Sequence, residues 1–170
     1  MAFTNRSSLV VAYIHGHIVE RLDVESLVLE TYAGIPGTSG QPEPGHRLSV
    51  ILGSPFGIAV DDNNQIYVSL LHMKVIVAIN QSSDEAKVLT SLGVQPKYLS
   101  YDHATRKLFL TMNHGLAELG LDGGEFNVLT GGFSGGNGHG TMEETKFRHP
   151  VDMSVIDSNT IIVADETNCR

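Results

Sequence analysis

The chain reads as all-β, an incomplete β-propeller built from four-stranded antiparallel blades. Three features point there. The segment SSLVVAYIHGHIVERLDV at residues 7–24 recurs in register as NQIYVSLLHMKVIVAINQ from Asn64 and RKLFLTMNHGLAELGLDG from Arg106, then as NTIIVADETNCR from Asn159. Leu9, Ile66, Leu108 and Ile161 head the same strand at spacings of 57, 42 and 53 residues, and periods of this size mean stacked supersecondary units. Each copy is a run of short Val-, Ile-, Leu- and Tyr-rich segments separated by turn residues, the pattern of antiparallel strands rather than helices.

The hairpin at the centre of each copy is the clearest element. Ile66 to Leu71 and Lys74 to Ile79 flank His72-Met73, and the first and third copies place His15-Gly16 and His114-Gly115 at the same turn. The fourth places Thr167-Asn168 there. Gly and Asn tolerate positive φ, so the second residue of this pair is expected in the left-handed region, with Met73 the exception. A further strand follows at Ser26 to Tyr32, Ala86 to Leu92 and Glu125 to Thr130. An opening strand precedes the hairpin at FGIAVDD, PKYLSYD and VDMSVID. Four strands joined by short turns make one blade. The expected units are a partial blade at 7–33 with three strands, full blades at 55–93 and 95–131, and a two-strand start at 150–170. The only helical candidate is Thr141 to Lys146, where Thr141 and Glu144 stand at capping-box spacing, enough for a single turn.

Two glycine-rich connections, residues 34–54 and 131–149, join successive units. Gly45, Val50, Leu52 and Pro55 keep the mutual spacing of Gly140, Thr145, Phe147 and Pro150, and each proline stands eleven residues before its hairpin strand. With Val163-Ala164-Asp165 and Asn168 closing a strand and turn, this pattern resembles the NHL-repeat family of propellers across essentially the whole chain. The signature Asp is replaced by Tyr13, Leu70 and Met112 in the other copies, and the third connection shortens to SLGVQP. The resemblance implies about six blades. On that expectation the chain is a piece of a longer propeller, or a truncated gene model, whose remaining blades are missing. It also implies an extracellular protein in which Cys169 pairs with a cysteine of a later blade.

Composition narrows the functional classes. Eleven Lys plus Arg against nineteen Asp plus Glu give a net charge of −8 with no basic patch, so no nucleic-acid partner is expected. The longest apolar run, Leu9 to Ile14, is far below the roughly 20 residues that span a bilayer. Cys169 stands alone and fits no metal spacing.

Few residues carry a chemical signal. Gly132-Phe133-Ser134-Gly135-Gly136 satisfies the G-x-S-x-G pattern, but a nucleophile elbow needs a helix after the turn, and more glycine follows here. No GK[ST] accompanies the same glycines, so they read as a flexible connection rather than a phosphate cradle. His15, His72 and His114 occupy one position in three blades. At about 4.8 Å between strands their turns lie too far from a propeller axis, and from each other, to share one metal ion, so they read as rim residues available for binding. The pair His15/His17 and the turn Asp61-Asp62 offer too few ligands for a committed cation site. Asn5-Arg6-Ser7 and Asn80-Gln81-Ser82 are glycosylation sequons. The expectation is therefore a non-catalytic scaffold with no cofactor, presenting loops to a protein or carbohydrate partner. A metal-dependent propeller enzyme, lactonase-like or amidating-lyase-like, is the alternative, and an RNA-binding propeller a more distant one.

Overall fold

The computed structural model describes residues 1–5, 7–122, 124–132, 135–157 and 159–169, with Asn5 described by its backbone. It divides into two compact units, residues 1–95 and 96–170.

The first unit holds two antiparallel sheets. One has the order β1 (Ala2–Asn5), β2 (Ser8–Tyr13), β3 (Ile18–Asp23), β4 (Leu29–Ala33). The other has the order β5-β9-β8-β7-β6, from β5 (Gly45–His46), β6 (Pro55–Val60), β7 (Ile66–Leu70), β8 (Val75–Ile79) and β9 (Glu85–Ser91). Every residue of β7 and β8 is buried, which is why these strands read as unbroken apolar runs instead of alternating. Their core joins Val10, Val19 and Tyr32 of the first sheet to Ile58, Val68, Leu70 and Val77 of the second, and Val50 and Leu52 of the connection pack into it.

The second unit holds the sheet β10 (Leu99–Asp102), β11 (Lys107–Thr111), β12 (Gly115–Gly120), β13 (Phe126–Gly131) and a two-stranded sheet of β14 (Pro150–Asp157) and β15 (Thr160–Asp165). A single 3₁₀ turn, Glu166–Asn168, follows. Leu108, Leu110, Ala117 and Leu119 are buried to 0% exposure at the centre of its larger sheet.

The structure corrects the sequence reading at three places. The first sheet has four strands, because Ala2–Asn5 pairs with β2 through Ala2↔Val10 and Phe3↔Leu9, and Thr4 Oγ1 donates to Ser8 O at 3.3 Å. Four residues are too few to show a period, so this strand left no pattern to read. A two-residue strand, β5, also lies inside the first connection, paired as Gly45↔Ala86 and His46↔Glu85. The left-handed residue of the hairpins is one position later than expected: His17 has φ 57° and Lys74 φ 58°, and in the fourth copy it is Cys169, at φ 54°. In the first two copies the loops hold four residues, between Tyr13↔Ile18 and Leu70↔Val75, and loops of that length put the reversal on the last position. Thr141 to Lys146 forms a single turn, as its spacing predicts. Thr145 N donates to Thr141 O, and Glu144 Oε2 accepts from Thr141 N at 2.9 Å, so the reciprocal contact forms without a helix behind it.

A hydroxyl recurs where the opening strand meets its neighbour. Ser69 Oγ accepts from Gly57 N at 2.7 Å, and Thr111 Oγ1 accepts from Tyr98 N at 3.1 Å; both side chains are fully buried. Each satisfies a backbone N–H at the start of an opening strand, where the Pro55/Ile58 irregularity interrupts one of the two ladders. Thr111→Val keeps the shape and removes the acceptor. It is expected to cost about 1–3 kcal/mol in urea unfolding, the penalty for one stranded buried donor.

Candidate binding surface

His15 and His72 lie in the first unit, each exposed in its hairpin turn. The first connection touches both turns. Gly37 N donates to Gly16 O at 2.9 Å, His17 Nδ1 accepts from Ser54 N at 3.3 Å, and a Cβ at Gly53 would stand 2.9 Å from Met73. His17 is thus committed to the connection instead of pairing with His15 on a strand face. Asp61 is equally committed: Oδ1 accepts from Asn63 N and Gln65 N, and Oδ2 accepts from Tyr67 Oη at 3.0 Å.

Arg47 fixes the middle of this connection. Its Nε donates to Asp84 Oδ1 at 2.6 Å, its Nη1 donates to Tyr32 O, and its guanidinium stacks 4.5 Å over the Tyr32 ring. The backbone adds Arg47 N to Asp84 O at 2.7 Å and Gly34 N to Arg47 O at 2.8 Å. The Arg47 hydrogen bond holds the exposed Asp84 carboxyl below its ordinary value. Around this anchor Gln41, Glu43, His46 and Leu48 remain exposed.

The second unit anchors its connection by other means. Asp165, 1% exposed, accepts from Arg148 N at 2.9 and 3.1 Å, and Asn168 Nδ2 donates to both Asp165 Oδ2 and Gly136 O at 2.6 Å. Pro150 and Asp165 are partners across β14 and β15, as Pro55 and Leu70 are across β6 and β7. The signature Asp and Asn therefore hold backbone here. The residue before each proline, Ser54 at φ 59° and His149 at φ 64°, takes the left-handed conformation, a repeated feature that side-chain type does not announce.

His114 differs from its two counterparts. It is half-buried in a tighter turn, where Met112 N donates to Gly115 O at 2.8 Å, and its ring lies 5.5 Å from that of His149. Its Nδ1 is buried without a hydrogen-bond partner among the described residues, and a Cβ at Gly135 would stand 2.9 Å from it. Reading three equivalent histidines as one exposed set overlooked the connection that covers this one. Burial pushes the His114 imidazole below its ordinary value of 6.5; His149, Lys97 and Arg148 push the same way, and Asp165 opposes them. The unfolded chain then binds this proton more readily than the folded one, so the stabilisation is complete above about 6.5 and is lost as pH falls through the depressed value. Thermal unfolding of the second unit is expected to move to lower temperature between about pH 7 and pH 5, and His114→Gln to flatten that dependence.

Beneath this loop cluster, Lys97 and Tyr98 lead into β10. Burial lowers the Lys97 ammonium, which Glu166 partly counters, and burial raises the Tyr98 phenol together with Asp152 and Glu166. Among the described residues no three His, Cys, Asp or Glu side chains form a group that would hold a metal ion, and no helix is long and apolar enough to cross a membrane. Phe133 and Ser134 of the G-x-S-x-G match lie outside the described residues, as does the Asn5 side chain. Asn80 is exposed between β8 and β9.

No family model and no curated protein matches the chain. Solved structures do. A structural genomics protein of unknown function from Bacteroides thetaiotaomicron superposes at TM-score 0.72 with 13% identity, over 94% of this chain and 42% of that one. Virginiamycin B lyase from Staphylococcus aureus gives 0.56 and 12% over 93% and 45%, and a nidogen/laminin complex gives 0.64 and 15% over 99% and 76%. The chain thus spans less than half the length of the first two. These neighbours are propeller-type structures. With two four-stranded antiparallel sheets, a five-stranded one that adds the short β5 to the same pattern, and such neighbours, the chain has the β-propeller fold.

Proposed function

We propose that the chain belongs to an NHL-type propeller that serves as a binding scaffold, presenting its anchored connections and hairpin turns to a protein partner, with carbohydrate the second class of ligand. The observation that carries this reading is the first connection, tied to two turns and clamped by Arg47 while His15, His72, Gln41, Glu43, His46 and Leu48 stay exposed around it. Ordering a loop before binding removes an entropic cost that a partner would otherwise have to offset. A solved neighbour taken from a complex of two proteins supports a protein partner.

The test is retention of proteins on the immobilised full chain, with mass-spectrometric identification and competition by free chain, alongside a glycan array. His15→Ala/His72→Ala is expected to weaken the specific interaction at least about tenfold, or 1.4 kcal/mol. Equal retention by the double variant removes these turns from the interface.

A second reading, an enzyme of the lyase or lactonase kind, draws on the Lys97, Tyr98, Asp152 and Glu166 neighbourhood and on the lyase among the structural neighbours. Equilibrium dialysis of the full chain against zinc and calcium tests its metal-dependent form, and stoichiometric binding would favour it over the scaffold.

A further inference from the structure

Asn80 combines a sequence motif with three structural observations that point to covalent modification. It opens the turn between β8 and β9, outside any strand, and is exposed. Its Oδ1 accepts from Ser82 N at 2.8 Å and Ser83 N at 3.0 Å, while among the described residues its Nδ2 has no hydrogen-bond partner. Asn80 itself lines a groove of about 360 Å³, with Gln65, Ser83, Glu85 and Lys87 and the apolar Ala78 and Ala86. The lining mixes hydrogen-bonding and apolar groups and has room for the first sugar residue of a glycan. Asn5, the other sequon, lies in the β1–β2 ladder opposite Ser8.

We propose that Asn80 is an N-linked glycosylation site, the acceptor for an oligosaccharide donated from a lipid-linked diphosphate when the chain enters a secretory compartment. In that transfer Nδ2 forms a bond to the anomeric carbon, the bond from that carbon to the diphosphate oxygen breaks, and the lipid diphosphate leaves with the electron pair. Nδ2 gives up one proton and nothing is oxidised or reduced. The Asn80 carbonyl keeps its two backbone donors throughout, so the turn survives modification. In the folded chain the sugar lies on the solvent side, beside Gln65, Ser83, Glu85 and Lys87.

The experiment uses the full chain behind a cleavable secretory leader, translated with endoplasmic-reticulum microsomes. A single step in gel mobility is expected, removed by peptide N-glycosidase, which leaves Asp at position 80 for mass spectrometry to locate. Asn80→Asp retains the carbonyl oxygen that caps the turn and must abolish the step. Ser82→Ala must abolish it too, although the backbone N–H of residue 82 still caps the turn, and Ser82→Thr must restore it. A step that survives Asn80→Asp overturns the proposal. So does the absence of any step when a control glycoprotein is modified in the same microsomes. The modified chain should also keep the protease-resistant core of the unmodified one, and loss of that core on modification would equally sink the assignment.

Discussion

Gly131→Ala is expected to destabilise the second unit by at least about 3 kcal/mol, while Gly132→Ala, one residue away, stays within about 0.5 kcal/mol of the parent. Gly131 sits at φ 79°, and a Cβ there would stand 2.1 Å from His114 O and 2.5 Å from Gly115 Cα. Both obstacles are backbone, held by the β12–β13 ladder in which Gly115 pairs with Gly131, so neither can rotate aside. Left-handed φ alone costs an L-residue roughly 1–2 kcal/mol, and displacing the ladder adds to it. At Gly132 nothing lies within 4 Å of the added atom. Gly34 repeats the arrangement in the first unit, at φ 95° with a Cβ 2.7 Å from His17 O, whereas Gly37 at φ 71° has open space and only the conformational cost. Urea unfolding of the four alanine variants checks the ranking. Equal effects at 131 and 132 would show that the close approach of the two strands is wrong.

Asp165→Ala is expected to cost about 2–4 kcal/mol, because Arg148 N and the Asn168 amide lose a buried acceptor together. Asp165→Asn retains one carbonyl oxygen and should recover part of the loss. The change should be local, speeding amide exchange through residues 136–148 before the β11–β12 ladder is affected. Uniform loss across the second unit would mean that Asp165 supports the sheet itself instead of the connection. The sheet with Leu70 at the same position shares the backbone bond at this junction, Leu71 N to Ser54 O at 3.1 Å matching Glu166 N to His149 O at 3.3 Å, and in place of the carboxylate contact it has His17 Nδ1 accepting from Ser54 N.

The strands were legible because repetition shows the same apolar segment in four contexts, and a turn mistaken in one copy is corrected by another. Leu52, Pro55, Phe147 and Pro150 stood out for that reason, and Leu52 is indeed wholly buried. What single residues do against distant backbone was not legible. Arg47 reads as an isolated surface charge, yet it reaches Tyr32 and Asp84, 15 and 37 residues away. The glycines of the two connections looked interchangeable, because composition cannot tell Gly131, pressed against a neighbouring strand, from Gly132. Left-handed His17, Ser54, Lys74 and His149 were hidden for a related reason: loop length sets the first and third, and Ser54 and His149 take this conformation against the extended backbone that a following proline favours. The histidines show both sides. Equivalent positions correctly suggested turns, but exposure depends on which turn residue the connection lies against: the histidine itself at His114, and its neighbours Gly16 and Met73 at His15 and His72.

Hydrogen exchange of the full chain, read peptide by peptide, reaches the central point most directly, which is that the glycine-rich connections are anchored surfaces and not flexible linkers. Peptides spanning Gly34, Gly37 and Arg47, whose backbone N–H groups donate to Arg47 O, Gly16 O and Asp84 O, should exchange well below the rate of an unstructured peptide, and Arg47→Ala should release them while β7 and β8 stay protected. Unprotected exchange throughout residues 34–54 in the parent chain would contradict it.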